Sequence, residues 1–357
     1  MTSERKIKVL VVDDSAIVRK ILTEALSGHP DIEVVGTAPD PYVARDKILT
    51  LKPDVLTLDI EMPRMNGLAF LDKLSRYHPL PVIVISSLAQ SSCETALEAM
   101  RRGAVHVLAK PGGPYSVGEL RFDLANTVRA AAESRLKLSA PADKPVSAGA
   151  QPPVTARPLP PGTIIAIGAS TGGTEAIQQV LTALPAGMPP IVITQHIPAG
   201  FSAAFAKRLN DLCELEVKEA ADGDALRPGL ALVAPGDFHM FVRKNGGGCH
   251  AVVKSGPRVC YQRPSVDVLF ESVAAAAGPD AIGILLTGMG SDGAHGLLKL
   301  KNAGARTIAQ DEATCVVFGM PREAIRLGAA GDVMPLPKIA PALLQRPLAA
   351  RNDPVRV

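Results

Sequence analysis

The chain has no tryptophan, and aromatic residues make up only 3% of its 357 residues. Proteins that grip single-stranded nucleic acid combine aromatic stacking platforms with a basic groove. The basic half is missing as well: Lys+Arg number 38 against 35 for Asp+Glu, a formal net charge of +3. Nucleic-acid binding is not expected. The five cysteines (Cys93, Cys213, Cys249, Cys260 and Cys315) are scattered, odd in number and never in a CxxC pair. They read as reduced thiols of a cytosolic protein. No stretch approaches the about 20 apolar residues that span a bilayer. The first apolar run stops after strand length at Asp13, too short for a secretion signal. The expectation is a cytoplasmic protein without direct membrane insertion.

What is present is a globular core in duplicate. Hydrophobic residues reach 47%, and the length exceeds what one average core fills. In the first third, Ile7–Val12, Glu33–Ala38, Val55–Leu58, Pro81–Ser86 and Val105–Ala109 read as strands. Amphipathic stretches such as Ala16–Leu26 and Thr95–Arg102 lie between them. Apolar strands alternating with helices predict a parallel sheet covered on both faces. Residues 139–161 change character to a Pro/Ala/Ser mixture that cannot bury a core, and read as a linker. The pattern then restarts over 162–345, with strands at Thr163–Ile167, Ile191–Gln195, Gly229–Ala234, Ala281–Thr287 and Arg306–Gln310, and helices at Ala176–Leu184 and Gly296–Ala303. A β-hairpin is expected over Val242–Val253 around Asn245-Gly246. This predicts a second α/β domain with a doubly wound, mostly parallel sheet and an antiparallel excursion. Residues 346–357 carry no readable motif.

Carboxylates mark the strand ends of the first domain. Asp13 and Asp14 follow the first strand, Asp59 the third, Ser86 closes the fourth, and Lys110-Pro111 follows the fifth. Open parallel sheets bind ligands beyond the carboxyl ends of their strands. Three carboxylates converging there repel one another, and a hard cation such as Mg²⁺ resolves the repulsion and neutralises an incoming phosphoryl group. Asp59 can then act as a nucleophile and form an acyl phosphate. The Ser86 hydroxyl and the Lys110 ammonium can bind the new phosphoryl oxygens. Together with Met62-Pro63 and Asn66-Gly67 after the acceptor position, residues 5–130 resemble the receiver domain of bacterial response regulators. The resemblance implies a flavodoxin-like five-stranded sheet with Asp59 as phospho-acceptor. Asp13 and Asp14 would be acidic-pocket residues, and Asp14, Asp59 and the backbone carbonyl of Glu61 would ligate Mg²⁺. The chain departs from the family at Val107, three positions before Lys110, where receivers usually carry an aromatic.

The second domain offers a nucleophile. Gly168-Ala-Ser170-Thr-Gly172 satisfies G-x-S-x-G between a strand and a helix, a tight and strained turn that presents the Ser170 hydroxyl. The following helix N-terminus offers N–H groups to an oxyanion. A serine needs a base and the base an orienting carboxylate. His196 ends the next strand, and Asp292 lies in the Gly-rich turn after Ile282–Thr287. Rivals are His239 after the Ala-Pro-Gly turn, Asp237, His295 at a helix start, and Asp267, which reads as a helix N-cap. The order Ser…His…Asp differs from the Ser…Asp…His of α/β-hydrolases.

Five segments carry a second resemblance: Ile167–Ile177, Gln195-His196, Ala234-Pro-Gly with His239-Met240, Arg263–Asp267, and Leu286–Ala294. This half resembles the catalytic domain of the chemotaxis protein-glutamate methylesterases. The order receiver, linker, esterase matches that family as well. The resemblance implies Ser170 as nucleophile, His196 as base and Asp292 as orienter, with Thr171 and Met289 lining the oxyanion region. It further implies methyl-accepting chemoreceptors as substrate, hydrolysis of γ-glutamyl methyl esters, deamidation of receptor glutamines and no cofactor for the esterase reaction. A histidine kinase would supply the phosphoryl group, and phosphorylation would relieve hindrance of the site by the receiver. Three alternatives stay open from sequence. They are the same chemistry in a receptor pathway outside chemotaxis, a response regulator acting only by binding, and a nucleotide-dependent enzyme using the glycine turns.

Overall fold

In the computed structural model, residues 5–62, 65–110, 116–134 and 159–345 are described. The expected linker lies outside these residues except for 159–161, and the segment 346–357 lies wholly outside them. Pro63 and Pro111 also lie outside.

The first half runs β1 (Ile7–Val12), α1 (Ala16–Ser27), β2 (Ile32–Ala38), α2 (Pro41–Leu51), β3 (Val55–Asp59), α3 (Gly67–Tyr77), β4 (Val82–Ser86), α4 (Gln90–Arg101), β5 (His106–Ala109) and α5 (Ser116–Glu133). Its central strands β1, β3 and β4 are apolar and largely buried on both faces, so each must be covered by helices on either side. They pair in the order β2-β1-β3-β4-β5, all parallel. This is the flavodoxin-like order, and its switch point lies between β1 and β3. Side chains of Ser15, Asp40 and Asn66 cap the first three helices and fix where each begins.

The second half runs β6 (Ile164–Ala169), α6 (Gly173–Leu181), β7 (Ile191–Gln195), α7 (Phe201–Leu212), β8 (Glu216–Glu219), β9 (Leu230–Val233), β10 (His239–Asn245), β11 (Gly248–Lys254), α8 (Val266–Ala277), β12 (Ala281–Leu285), α9 (Ala294–Asn302), β13 (Arg306–Gln310), α10 (Met320–Arg326), β14 (Asp332–Met334) and α11 (Leu336–Leu344). The main sheet has the order β14-β13-β12-β6-β7-β9-β8 and is parallel throughout. The chain winds outward in both directions from β6, so the switch point lies at the end of that strand. The antiparallel pair β10-β11 stands apart as the expected excursion.

Three local expectations need correction. The hairpin turn is Gly246-Gly247, because Asn245 pairs with Gly248 and its side chain accepts the Gly247 N–H. His239 opens β10 rather than ending a strand. Helix α6 begins at Gly173, three residues before the expected start. The left-handed backbone at its head falls on Gly172, with φ 76, and Ser170 itself is not left-handed. Gly168, on the middle strand, is needed for a different reason: a Cβ there would lie 2.1 Å from Val266 Cγ1 at the head of α8. Helix and sheet can approach this closely only over a glycine.

Gly168→Ala should therefore destabilise the second domain by about 1–3 kcal/mol through overpacking, read as a lower thermal midpoint. Val266→Ala in the same chain should restore part of the loss. A Gly168→Ala chain that melts like wild type would show that the contact between β6 and α8 is looser than described.

Candidate functional site

Ser170 is the first residue beyond β6, His196 the first beyond β7, and Asp292 lies in the turn between β12 and α9. These strands are direct neighbours in register, with Gly168 opposite both Leu285 and Thr194. All three side chains are buried, and all three line one cavity of about 740 Å³.

The best-defined contact is His196 Nε2 to Asp292 Oδ2, at 2.7 Å. The same carboxylate accepts the Val266 N–H at 2.7 Å, the Asp267 N–H at 3.1 Å and the Ser265 hydroxyl at 2.8 Å. Val266 and Asp267 open α8, so Asp292 meets the unpaired N–H groups and the positive end of a helix dipole. Burial alone would raise its pKa. The hydrogen bond and charge of His196, with the two backbone donors, outweigh burial and hold Asp292 below the ordinary carboxylate range. The imidazole is thus aimed by a fixed anion at Nε2. Its Nδ1 is buried and has no hydrogen-bond partner among the described residues.

The sequence assigns Gln195 no role of its own, yet its side-chain amide donates to the carbonyls of both Ser170, at 2.9 Å, and His196, at 3.0 Å. It ties the two loops together. A Cβ at Gly173 would lie 2.1 Å from Gln195 Oε1, which explains that glycine. The Ser170 N–H donates to the Thr287 carbonyl at 3.0 Å, so it does not face the cavity. Thr171 and Met289 also line the cavity, and neither backbone N–H donates to another described residue.

The rivals have other duties. His239 Nδ1 takes the Ser265 N–H at 3.2 Å and Nε2 meets the Pro257 carbonyl at 2.9 Å, so both ring nitrogens are engaged. Asp237 pairs with Arg263. His295 is exposed on α9. Asp267 is not the N-cap; Ser265 is, and its Oγ accepts the Val268 N–H. The Asp267 carboxylate instead accepts the Gly296 N–H at 2.6 Å, and burial with the nearby Asp292 charge pushes its pKa to about 6. The signal for Ser265 was legible in principle: a serine immediately before the first apolar residue of a helix.

In the first domain, Asp13, Asp14 and Asp59 bring carboxylate oxygens within 4.8 Å of one another. Lys110 Nζ is 2.6 Å from Asp59 Oδ2 and 3.5 Å from Asp13 Oδ2. Burial, then the mutual charge of Asp59, raises Asp13 to about 6. Burial also raises Asp59, against the pull of Lys110. Asp13 Oδ2 is buried without a hydrogen bond, as expected of a donor set suited to a hard cation. The Ser86 hydroxyl is turned toward the Ser92 carbonyl at 3.3 Å, and Ser92 bonds the Glu61 side chain. Val107 is buried in the core at the position where an aromatic is usual.

The two sites face each other. His106, Leu108 and Lys110 at β5, with Asp123, Asn126 and Thr127 of α5, line the same cavity as Ser170 and His196. Removal from water and the charge of His196 lower the His106 pKa to about 4. Helices α4 and α7 share one apolar cluster across the boundary, including Cys93, Leu97, Met100, Phe201 and Phe205. Ion pairs Lys207–Glu94, at 3.2 Å, and Arg208–Glu98, at 3.8 Å, rim it.

Comparison with known proteins matches residues 165–343 to the CheB methylesterase family and residues 9–119 to the response regulator receiver domain. The chain is 54% identical over 340 residues to protein-glutamate methylesterase/protein-glutamine glutaminase 2 of Syntrophus aciditrophicus, covering 95% of this chain and 99% of that one. It is 50% identical over 343 residues to the protein-glutamate methylesterase/protein-glutamine glutaminase of Salmonella typhimurium, covering 96% and 97%. Among solved structures it resembles the CheB methylesterase catalytic domain of Thermotoga maritima. The TM-score is 0.50 and the identity 41%, over 51% of this chain and 97% of that one.

The raised Asp267 carboxyl has a consequence for stability. A folded-state pKa of about 6 against an ordinary 3.8 means that its contribution is fully present below pH 3.8 and is lost as pH rises through 6. Asp267→Asn lacks this loss. Its thermal midpoint relative to wild type should improve as pH goes from about 4 to about 7, by at most roughly 3 kcal/mol in stability. A difference that does not move with pH would mean that Asp267 titrates as an ordinary carboxyl.

Proposed function

The chain belongs to the CheB methylesterase family, and on that premise we propose that it is a phosphorylation-activated protein-glutamate methylesterase and glutaminase acting on chemoreceptors. The observation that carries the proposal is the buried His196–Asp292 pair beside Ser170 in one cavity. In this reading His196 Nδ1 takes the proton of the Ser170 hydroxyl as Oγ attacks the γ-glutamyl ester carbonyl. Asp292 supports the imidazolium that forms. The developing oxyanion meets the backbone N–H groups of Thr171 and Met289, each donor contributing about 10²–10³-fold in rate. His196 returns the proton to the leaving methanol, or to ammonia when the substrate is a glutamine. It then draws a proton from the water that attacks the acyl-enzyme, and glutamate is released. Ester and amide pass through the same tetrahedral geometry, so one site serves both.

Control belongs to the first domain. A histidine kinase or a small phosphodonor would transfer a phosphoryl group to Asp59. Asp13, Asp14, Asp59 and the Glu61 carbonyl would hold Mg²⁺, which supplies charge neutralisation for that transfer when bound. Lys110 now pairs with Asp59. A phosphoryl group there would draw Lys110 and the Ser86 hydroxyl to itself. Lys110 also borders the cavity, which supports a route from phosphorylation to the loosening of the receiver over the esterase site.

Methanol release from methylated receptor membranes tests the proposal. Ser170→Ala should lose on the order of 10⁴-fold or more in turnover. Asp59→Asn should keep the unstimulated rate and lose the rise caused by phosphodonor with Mg²⁺. Hydrolysis that survives in Ser170→Ala rejects the nucleophile, and stimulation that survives in Asp59→Asn rejects the switch.

A further inference from the structure

Part of the cavity wall is built from a backbone that its side chains disfavour. Among the described residues, the non-glycine positions with left-handed φ are Lys52, Asp237, Cys260 and Tyr261, and all but Lys52 line this cavity. Cys260 and Tyr261 form the centre of a tight turn closed by reciprocal hydrogen bonds between Val259 and Gln262, at 3.0 and 2.8 Å. With φ of 49° and 64°, they occupy a turn that normally selects glycine or asparagine. Strain of this kind persists where its surroundings over-determine it, and it gathers at ligand-binding surfaces. The turn presents Arg258, whose Nη1 also approaches the Tyr261 carbonyl at 3.4 Å.

Arg258 reaches across the domain boundary. Its Nη1 lies 3.8 Å from Asp123 Oδ2 on α5 of the receiver half. The neighbouring Arg263 is committed within its own domain, to Asp237 and to the Gly256 carbonyl at 2.6 Å. Arg258 is thus a guanidinium in the esterase cavity that meets a carboxylate brought by the other domain. Such a carboxylate has the chemistry of the glutamate side chains that the proposed reaction produces and that an acidic polypeptide carries beside the reacting ester.

We propose that Arg258 determines specificity by binding a carboxylate of an acidic, glutamate-bearing polypeptide next to the ester being hydrolysed, and that Asp123 is an internal stand-in for that carboxylate. The inference rests on the esterase reading of Ser170 and adds the recognition of flanking charge. Separation of the domains withdraws Asp123 from Arg258, so the receiver competes with substrate for this guanidinium as well as covering the site. An arginine suits this role because its planar fork matches a carboxylate.

The test uses the full chain with Mg²⁺ and a small-molecule phosphodonor, on two substrates: methylated receptor membranes and the uncharged ester p-nitrophenyl acetate. Arg258→Gln should raise KM for the methylated protein on the order of tenfold more than for the nitrophenyl ester, with kcat affected less. Arg258→Lys should recover part of the difference. Asp123→Asn, assayed without phosphodonor, should raise turnover of receptor membranes. Equal losses on both substrates in Arg258→Gln would assign Arg258 a merely structural role and overturn the proposal, as would an Asp123→Asn chain with the unstimulated rate of wild type. Failure of the underlying esterase reading is separate: it appears as Ser170→Ala hydrolysing either substrate at the wild-type rate.

Discussion

The Asp292 carboxylate accepts hydrogen bonds from His196, Ser265, Val266 and Asp267 while almost wholly buried. A buried anion is costly unless it is fully satisfied, and here a helix N-terminus and an imidazole share the task. The arrangement requires α8 to approach both the sheet and the head of α9 very closely. Gly168, Gly293 and Gly296 make that approach possible, since a Cβ at any of them would overlap Val266, Phe270 or the Asp267 backbone. Packing and electrostatics are therefore one problem in this domain. The glycines admit the helix, the helix steadies the anion, and the anion aims the histidine.

Much of this was legible in one sequence because it lies at strand ends. Asp13, Asp59, Lys110, Ser170 and His196 each follow a short apolar run, and parallel sheets gather such positions at one edge. The two sheets and the detached hairpin followed from the same alternation. Other features were illegible for physical reasons. The role of Gln195 depends on two carbonyls that only the fold brings together. Asp267 resembled a cap from its position near a helix start, but its partner is Gly296, distant in sequence. His239 looked free until both ring nitrogens were found engaged. Short edge strands such as β8 and β14 carry too few apolar residues to announce themselves. Arg258 was silent because its meaning comes from a residue in the other domain.

The facing of the two functional edges gives this chain its character. Lys110 borders the esterase cavity while it neutralises the acid pocket. Lys110 belongs to both places: it pairs with Asp59 and lines the cavity that holds Ser170. The buried Val107 leaves β5 without a large ring three positions before Lys110.

The seam between α4 and α7 is apolar at its centre and ionic only at its rim. These two parts answer to different conditions. Exposed ion pairs fade as salt rises, whereas the apolar contact draws its strength from water and weakens on cooling. A seam dominated by its centre should be nearly indifferent to ionic strength yet loosen in the cold. The docking of the domains is in that sense a thermometer, with no further part required.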